Sequence, residues 1–155
     1  MDSVYGKENR DIKLTGNWYI TLYDDNGSIK DYKEGRNVIT TNGVEFLASF
    51  LNSAATAAST FTMRYIAIGT DSTSETAADA TLGVESERHT GTVSYSSNAI
   101  YSVTATFPSG TAGAIAEYGL FSSNTGGTML NRDTEGVINK GVNDTLTVTT
   151  EITIS

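Results

Sequence analysis

The 155-residue chain has no cysteine, one proline, one histidine and one tryptophan, and each scarcity closes off a class of chemistry. Without cysteine there is no disulfide framework, no thiolate metal site and no cysteine nucleophile. A domain of about 150 residues buries roughly 68–70% of the surface of its unfolded chain, so it can fold without such staples. Cations are scarce as well: ten Lys and Arg stand against eighteen Asp and Glu, for a formal charge of −8. A phosphate backbone would be repelled at long range, and no nucleic-acid partner is expected. No apolar run approaches the roughly 20 residues of a membrane helix, and the first ten residues lack the basic and apolar segments of a signal peptide. The expectation is a soluble protein made in the cytosol, with no membrane partner.

The charge is unevenly spread. Residues 1–42 hold six Lys and Arg and seven Asp and Glu, which leaves four cations and eleven acids for residues 43–155. Residues 1–15 are polar, with Val4, Tyr5, Ile12 and Leu14 too scattered to make a face, and they read as an extended arm. Residues 16–155 read as one domain. From Asn17 to Tyr23, Trp18, Ile20 and Leu22 alternate with Tyr19, Thr21 and Tyr23, the period of a strand with one buried face. Asn26-Gly27 predicts a two-residue type I′ turn and a partner strand over residues 28–32. Phe46, Leu47, Phe50 and Leu51 fall at helical spacing and predict a short helix over residues 43–52, capped by Thr41 or Asn42 with Glu45 as capping-box partner.

The remainder reads as β. Strands are predicted over residues 61–69, 88–96, 99–107, 114–121, 128–131 and 145–154, with turns at Ser97-Asn98, Ser109-Gly110, Asn124-Thr125-Gly126-Gly127 and Val142-Asn143-Asp144. The last strand alternates Leu146, Val148, Ile152 and Ile154 with threonines and Glu151. Residues 69–81 form a long Ser/Thr/Ala/Asp loop. With no βα alternation, the fold class is all-β: a two-sheet antiparallel β-sandwich, of jelly-roll or immunoglobulin-like connectivity, with one short helix.

No catalytic constellation stands out. His89 has no nucleophile elbow of the form G-x-S-x-G to serve, and a solvent-facing or hydrogen-bonded strand residue is its simpler role. One histidine and no cysteine leave zinc without its usual ligands. Asp71, Glu75 and Asp79 share one loop, and Asp24, Asp25, Asn26 and Asp31 surround another, but neither follows a calcium-loop spacing. No phosphate loop is present, and Glu85 and Glu87 read as a surface pair. No catalytic, cofactor or metal residues are therefore expected. The candidate partner-binding residues are Tyr5, Ile12 and Leu14 on the arm and the outward Tyr19 and Tyr23.

The order Asn37-Val38-Ile39-Thr40-Thr41-Asn42-Gly43, Tyr65-Ile66-Ala67-Ile68-Gly69-Thr70 and Ala80-Thr81-Leu82-Gly83-Val84-Glu85-Ser86-Glu87-Arg88 resembles a family of small tailed-bacteriophage virion proteins. Later blocks continue the resemblance to the end of the chain, among them Ala114-Ile115-Ala116-Glu117-Tyr118-Gly119-Leu120-Phe121 and Gly126-Gly127-Thr128-Met129-Leu130-Asn131-Arg132. It covers about residues 37–155. The resemblance implies a non-enzymatic structural part of the particle: a capsid decoration (cement) protein bound to the major capsid protein and other virion proteins, forming a homo-oligomer for which a trimer is plausible. The alternative it implies is a tail-fibre or baseplate component, or an adhesin, recognising a host glycan or protein.

Overall fold

The computed structural model describes residues 12–52, 62–96 and 98–155. Two five-stranded antiparallel sheets pack face to face. The strands are β1 (Leu14–Tyr23), β2 (Ile29–Arg36), β3 (Val38–Ile39), β4 (Tyr65–Gly69), β5 (Glu85–Thr90), β6 (Thr92–Ser96), β7 (Ile100–Phe107), β8 (Gly113–Ile115), β9 (Glu117–Phe121), β10 (Met129–Asp133), β11 (Ile138–Lys140) and β12 (Thr145–Ile154), with one helix, α1 (Thr41–Asn52), between β3 and β4. One sheet runs β2-β1-β12-β7-β6 and the other β3-β10-β9-β4-β5, while β8 and β11 form a separate pair. The all-β sandwich expected from the alternation is the observed fold.

The core lies between the sheets. Trp18, Ile20 and Leu22 of β1, Val103, Ala105 and Phe107 of β7, and Leu146, Val148 and Ile152 of β12 face Ile66, Ile68, Tyr118, Leu120 and Leu130. β1 and β12 pair over their full lengths, Leu14 opposite Ile154 and Tyr23 opposite Thr145, so the two long alternating strands share one inner and one outer face. The Lys13 and Ser155 backbones bond reciprocally at 2.6 and 3.0 Å, which extends this pairing past Leu14. The sheet thus begins before the expected boundary at residue 16. Residues 1–11, including Tyr5, lie outside the described residues.

Several local expectations are corrected. Gly27 has φ 80° and no positive φ occurs at Asn26. Gly27 N bonds Asp24 O at 3.1 Å and Asp24 N bonds Ser28 O at 2.9 Å, so the hairpin closes through a three-residue loop with Gly27 in the left-handed position rather than a type I′ turn. Asp24 favours this closure because its Oδ1 accepts from both the Asn26 and the Ser28 amides. The returning strand runs on to Arg36, beyond residue 32.

The helix begins at Thr41, and its cap is Thr40. The Thr40 hydroxyl accepts from Gly43 N at 3.0 Å and donates to Met129 O at 2.6 Å, whereas Glu45 is exposed. The buried threonine caps the helix and ties it to β10 in one contact. A Cβ on Gly43 would sit 2.6 Å from Leu130 O, so glycine permits the close approach. Residues 88–96 form two strands, because the chain passes from one sheet to the other at Gly91. Gly91 N bonds Arg64 O at 2.7 Å, and a Cβ there would lie 2.4 Å from Val103 Cγ1. Residues 114–121 are likewise split at Ala116, whose amide bonds Gly69 O at 2.9 Å. β3 and β11 were not predicted as strands.

Candidate functional site

The outer face of the β2-β1-β12-β7-β6 sheet is built by strict alternation. With Trp18, Ile20 and Leu22 turned inward, Tyr19, Thr21 and Tyr23 must turn outward. The registers then set rows across the sheet. Tyr19 lies opposite Thr149, Thr149 opposite Thr104, and Thr104 opposite Thr92, while Thr21, Thr147 and Thr106 form the next row. Tyr19 also faces Glu34, and Thr21 faces Tyr32, on β2. The Thr104 and Thr149 hydroxyls are hydrogen-bonded at 2.8 Å, and the Tyr32 hydroxyl donates to Glu34 Oε2 at 2.9 Å. The surface is a sheet of hydroxyls studded with tyrosines, its backbone held by the ladder beneath.

Tyr19 and Tyr23 are half-buried and each borders a depression. That beside Tyr23 has a volume of ≈ 690 Å³ and is bounded by the Asp24-Asp25 hairpin, Asn143 and Thr145; that beside Tyr19 measures ≈ 280 Å³ and reaches Glu34 and Arg36. Burial, together with the carboxylates of Glu151 and Glu34, raises the Tyr19 phenol above its ordinary pKa, so it is a neutral hydrogen-bonding group at physiological pH. Of the other candidates, Ile12 is 81% exposed just before the sheet. Leu14 is half-buried and packs against the core, so its primary role is in the sandwich.

The opposite side of the molecule carries two loops, each fastened by an arginine. Glu117, fully buried on β9, accepts from the amides of Gly83, Val84 and Asp71 at 2.8, 2.7 and 3.3 Å. Arg132 on β10 reaches the same carboxylate at 2.9 Å and also binds Asp79 at 2.8 Å and Asp71 at 3.2 Å. The loop of residues 70–84 is thereby closed onto the sheet. Hydrogen bonds from Thr73 and the Arg132 guanidinium hold the Asp71 carboxyl below the usual range; at Asp79 partial burial opposes the same effect and hydrogen bonds from Thr76 and Arg132 outweigh it. Glu75 accepts a hydrogen bond from the Thr134 hydroxyl. Arg88 spans the second loop: it donates to Ser123 O and Gly126 O at 2.8 and 2.7 Å, pairs with Glu85 at 2.6 Å, and lies 3.6 Å from the centre of the Phe121 ring.

Asp71, Asp79 and Glu117 therefore converge on a guanidinium, and no group of three or more potential metal ligands occurs among the described residues. Asp24 is occupied with its turn. The His89 ring lies 4.6 Å from that of Phe107 at a tilt of 41°, with Nε2 3.4 Å from Glu87 Oε2. No hydroxyl nucleophile is bonded to it among the described residues. Sequence reasoning found the tyrosine face through its period of two but missed the Arg132 cluster. The available signal was a loop with acids at every fourth position in a stretch holding only four cations. Searches of family models, curated proteins and solved structures find no match to this chain. No described helix is long and apolar enough to cross a membrane.

Proposed function

We propose that this chain is a non-enzymatic structural protein of a tailed-bacteriophage particle, a decoration protein that binds the major capsid protein on the assembled head. The observation that carries the reading is the tyrosine-and-threonine face of the five-stranded sheet. Tyrosines offer large contact area with little side-chain entropy to lose, and the strand ladder pre-organises them. The ordered blocks over residues 37–155 supply the phage context. A protein that binds only the assembled shell stabilises it by RT ln(1 + [L]/Kd) per site, and many weak contacts repeated over the shell add. The segment before Leu14, with Tyr5 and Ile12, is a tether to a second subunit, gaining by effective concentration. Self-association belongs to the same reading, as does residence on the virion surface.

A second reading places the fold in a tail fibre or baseplate as an adhesin, favoured by the two arginine-fastened loops, since binding loops work best on a rigid scaffold. One experiment separates them. Shells stripped of the protein are titrated with the wild type and with Tyr19→Ser/Tyr23→Ser, and bound copies are located by particle imaging. Attachment across the head that weakens about tenfold in the double variant is the expected result. A handful of copies at the tail transfers the assignment to the second reading, and indifference to heads and tails alike overturns both.

A further inference from the structure

A five-stranded open sheet has two edges, and exposed edges invite pairing with another chain unless charge, proline, short length or a covering element prevents it. Three of the four edges here are guarded. β2 is charged at Lys30, Asp31, Lys33, Glu34 and Arg36; β5 carries Glu85, Glu87 and Arg88; β3 is two residues long. The fourth edge, β6, is Thr92-Val93-Ser94-Tyr95-Ser96, with no charge and no proline, and all five residues are exposed. Its inner side pairs with β7, and no strand among the described residues pairs with its outer side.

The strand matches itself. Antiparallel pairing of two copies about Ser94 sets Val93 opposite Tyr95, a β-branched residue against an aromatic, and Thr92 opposite Ser96, hydroxyl against hydroxyl. Val93 and Tyr95 point to the inner side, where they border an apolar groove of ≈ 760 Å³ that continues to Leu14, Phe46 and Tyr101. Tyr95 is 75% exposed there, an unusual cost for a large aromatic at the rim of an apolar groove. The electrostatics point to the same partner. Two chains of charge −8 repel, and residues 90–116, the longest stretch without a charged side chain, let copies meet at β6 without carboxylates of their own strand opposing.

We propose that β6 is a homotypic edge: two copies of this chain join antiparallel through Thr92–Ser96 about a two-fold axis at Ser94, forming one ten-stranded sheet. The outer hydroxyl faces then become continuous, with Ser94 at the seam, and the two apolar grooves lie side by side. The pairing is independent of any particle, and it is tested without one.

The 155-residue chain is examined by sedimentation velocity from low to high micromolar concentration, with circular dichroism to verify folding of each variant. The wild type is expected to be dimeric. Val93→Lys/Tyr95→Lys, which sets lysine against lysine, weakens the dimer by about tenfold or more. Val93→Lys/Tyr95→Glu sets lysine against glutamate in this register and regains affinity relative to the double lysine. Ile29→Lys, on the opposite edge, changes nothing. A monomer at every concentration, a trimer, or a dimer insensitive to residues 93 and 95 overturns the proposal. A Lys/Glu variant no tighter than the double lysine overturns it as well.

Discussion

The part of the chain beyond residue 42 contains only four cations, Arg64, Arg88, Arg132 and Lys140, and each is committed to holding backbone or loop. Arg64 Nη2 lies 3.5 Å from Gly91 O at the sheet-crossing corner, and Lys140 Nζ donates to Thr111 O at 2.6 Å. Arg88 and Arg132 fasten the two long loops. These side chains are half-buried or buried, so the charged groups left on the outside of this part are carboxylates. Arg132 matters most because it is matched to Glu117, a carboxylate with no exposure to water. Replacing Arg132 by methionine keeps the bulk but strands that charge, and breaking a buried pair from one side costs about 3–5 kcal/mol. Urea unfolding of Arg132→Met is expected to show a loss of this order. The double variant Arg132→Met/Glu117→Gln should recover a good part of it, because the uncompensated charge is gone while a hydrogen-bonding group remains for the loop amides. Equal losses in single and double variants would mean that the pair does not act as a unit.

At the level of elements, the feature that closes the sandwich is the crossing at Gly91, where β5 of one sheet becomes β6 of the other without a loop. The absence of a side chain is what allows it: a Cβ would press on Val103 Cγ1 at 2.4 Å and approach Arg64 O and Thr104 O at 3.1 Å. Gly91→Ala is expected to destabilise by about 1–3 kcal/mol, the usual cost of overpacking a close-fitted interior. Hydrogen exchange should show the loss concentrated in β5 and β6; a uniform loss, or none, would refute a local role for the corner. The same place shows what a sequence can and cannot convey. β1 and β12 were legible because one face is buried and the other wet, and that contrast is written into every second residue. β5–β6 and β8–β9 each read as one strand because a change of sheet leaves the local pattern almost untouched; only Gly91 and the buried Ala116 mark the breaks. The helix was legible from Phe46 and Leu47, but its cap was not, since Thr40 prevails over Thr41 and Asn42 by reaching Met129 O, far along the chain. The tyrosine face was accessible for the same reason as the strand that bears it. The Arg132 cluster was not, because Asp71, Asp79, Glu117 and Arg132 meet only once the sheet exists.

For the molecule as a whole, the response to pH turns on one inward-facing acid between the sheets. Asp133 is fully buried at the end of β10, opposite Tyr118 on β9, and neither carboxylate oxygen has a well-formed hydrogen bond among the described residues. The Tyr118 hydroxyl and the Trp18 indole nitrogen are likewise buried without hydrogen-bond partners among the described residues, their rings 6.0 Å apart across the sheet interface. Burial, reinforced by the negative charges of Glu135 and Glu75, pushes Asp133 up to about 7, with the Thr134 amide pulling the other way; Asp31 adds its charge at Tyr118. The folded pKa thus lies above the ordinary value of 3.8, and between the two the folded chain keeps a proton that the unfolded chain has lost. Stability therefore falls as pH rises through that window, by at most about 1.4 kcal/mol per pH unit for one proton, and levels off above it. Asp71, Asp79 and Asp144 have the opposite sign. Hydrogen bonds from Thr73 at Asp71, from Thr76 and Arg132 at Asp79, and from Lys30 at Asp144 hold their carboxyls low, so their contribution is complete above the ordinary carboxylate range and is lost as pH falls through their folded values. For these four carboxyls taken together, the favourable range lies on the acid side of neutrality. Asp133→Asn keeps the shape and removes the titration. Its thermal midpoint should match the wild type near about pH 4, exceed it near about pH 8, and lose the downward slope between. Parallel midpoint curves for the two proteins across that range would show that Asp133 is charged in the folded state throughout, and that its surroundings solvate it better than its burial indicates.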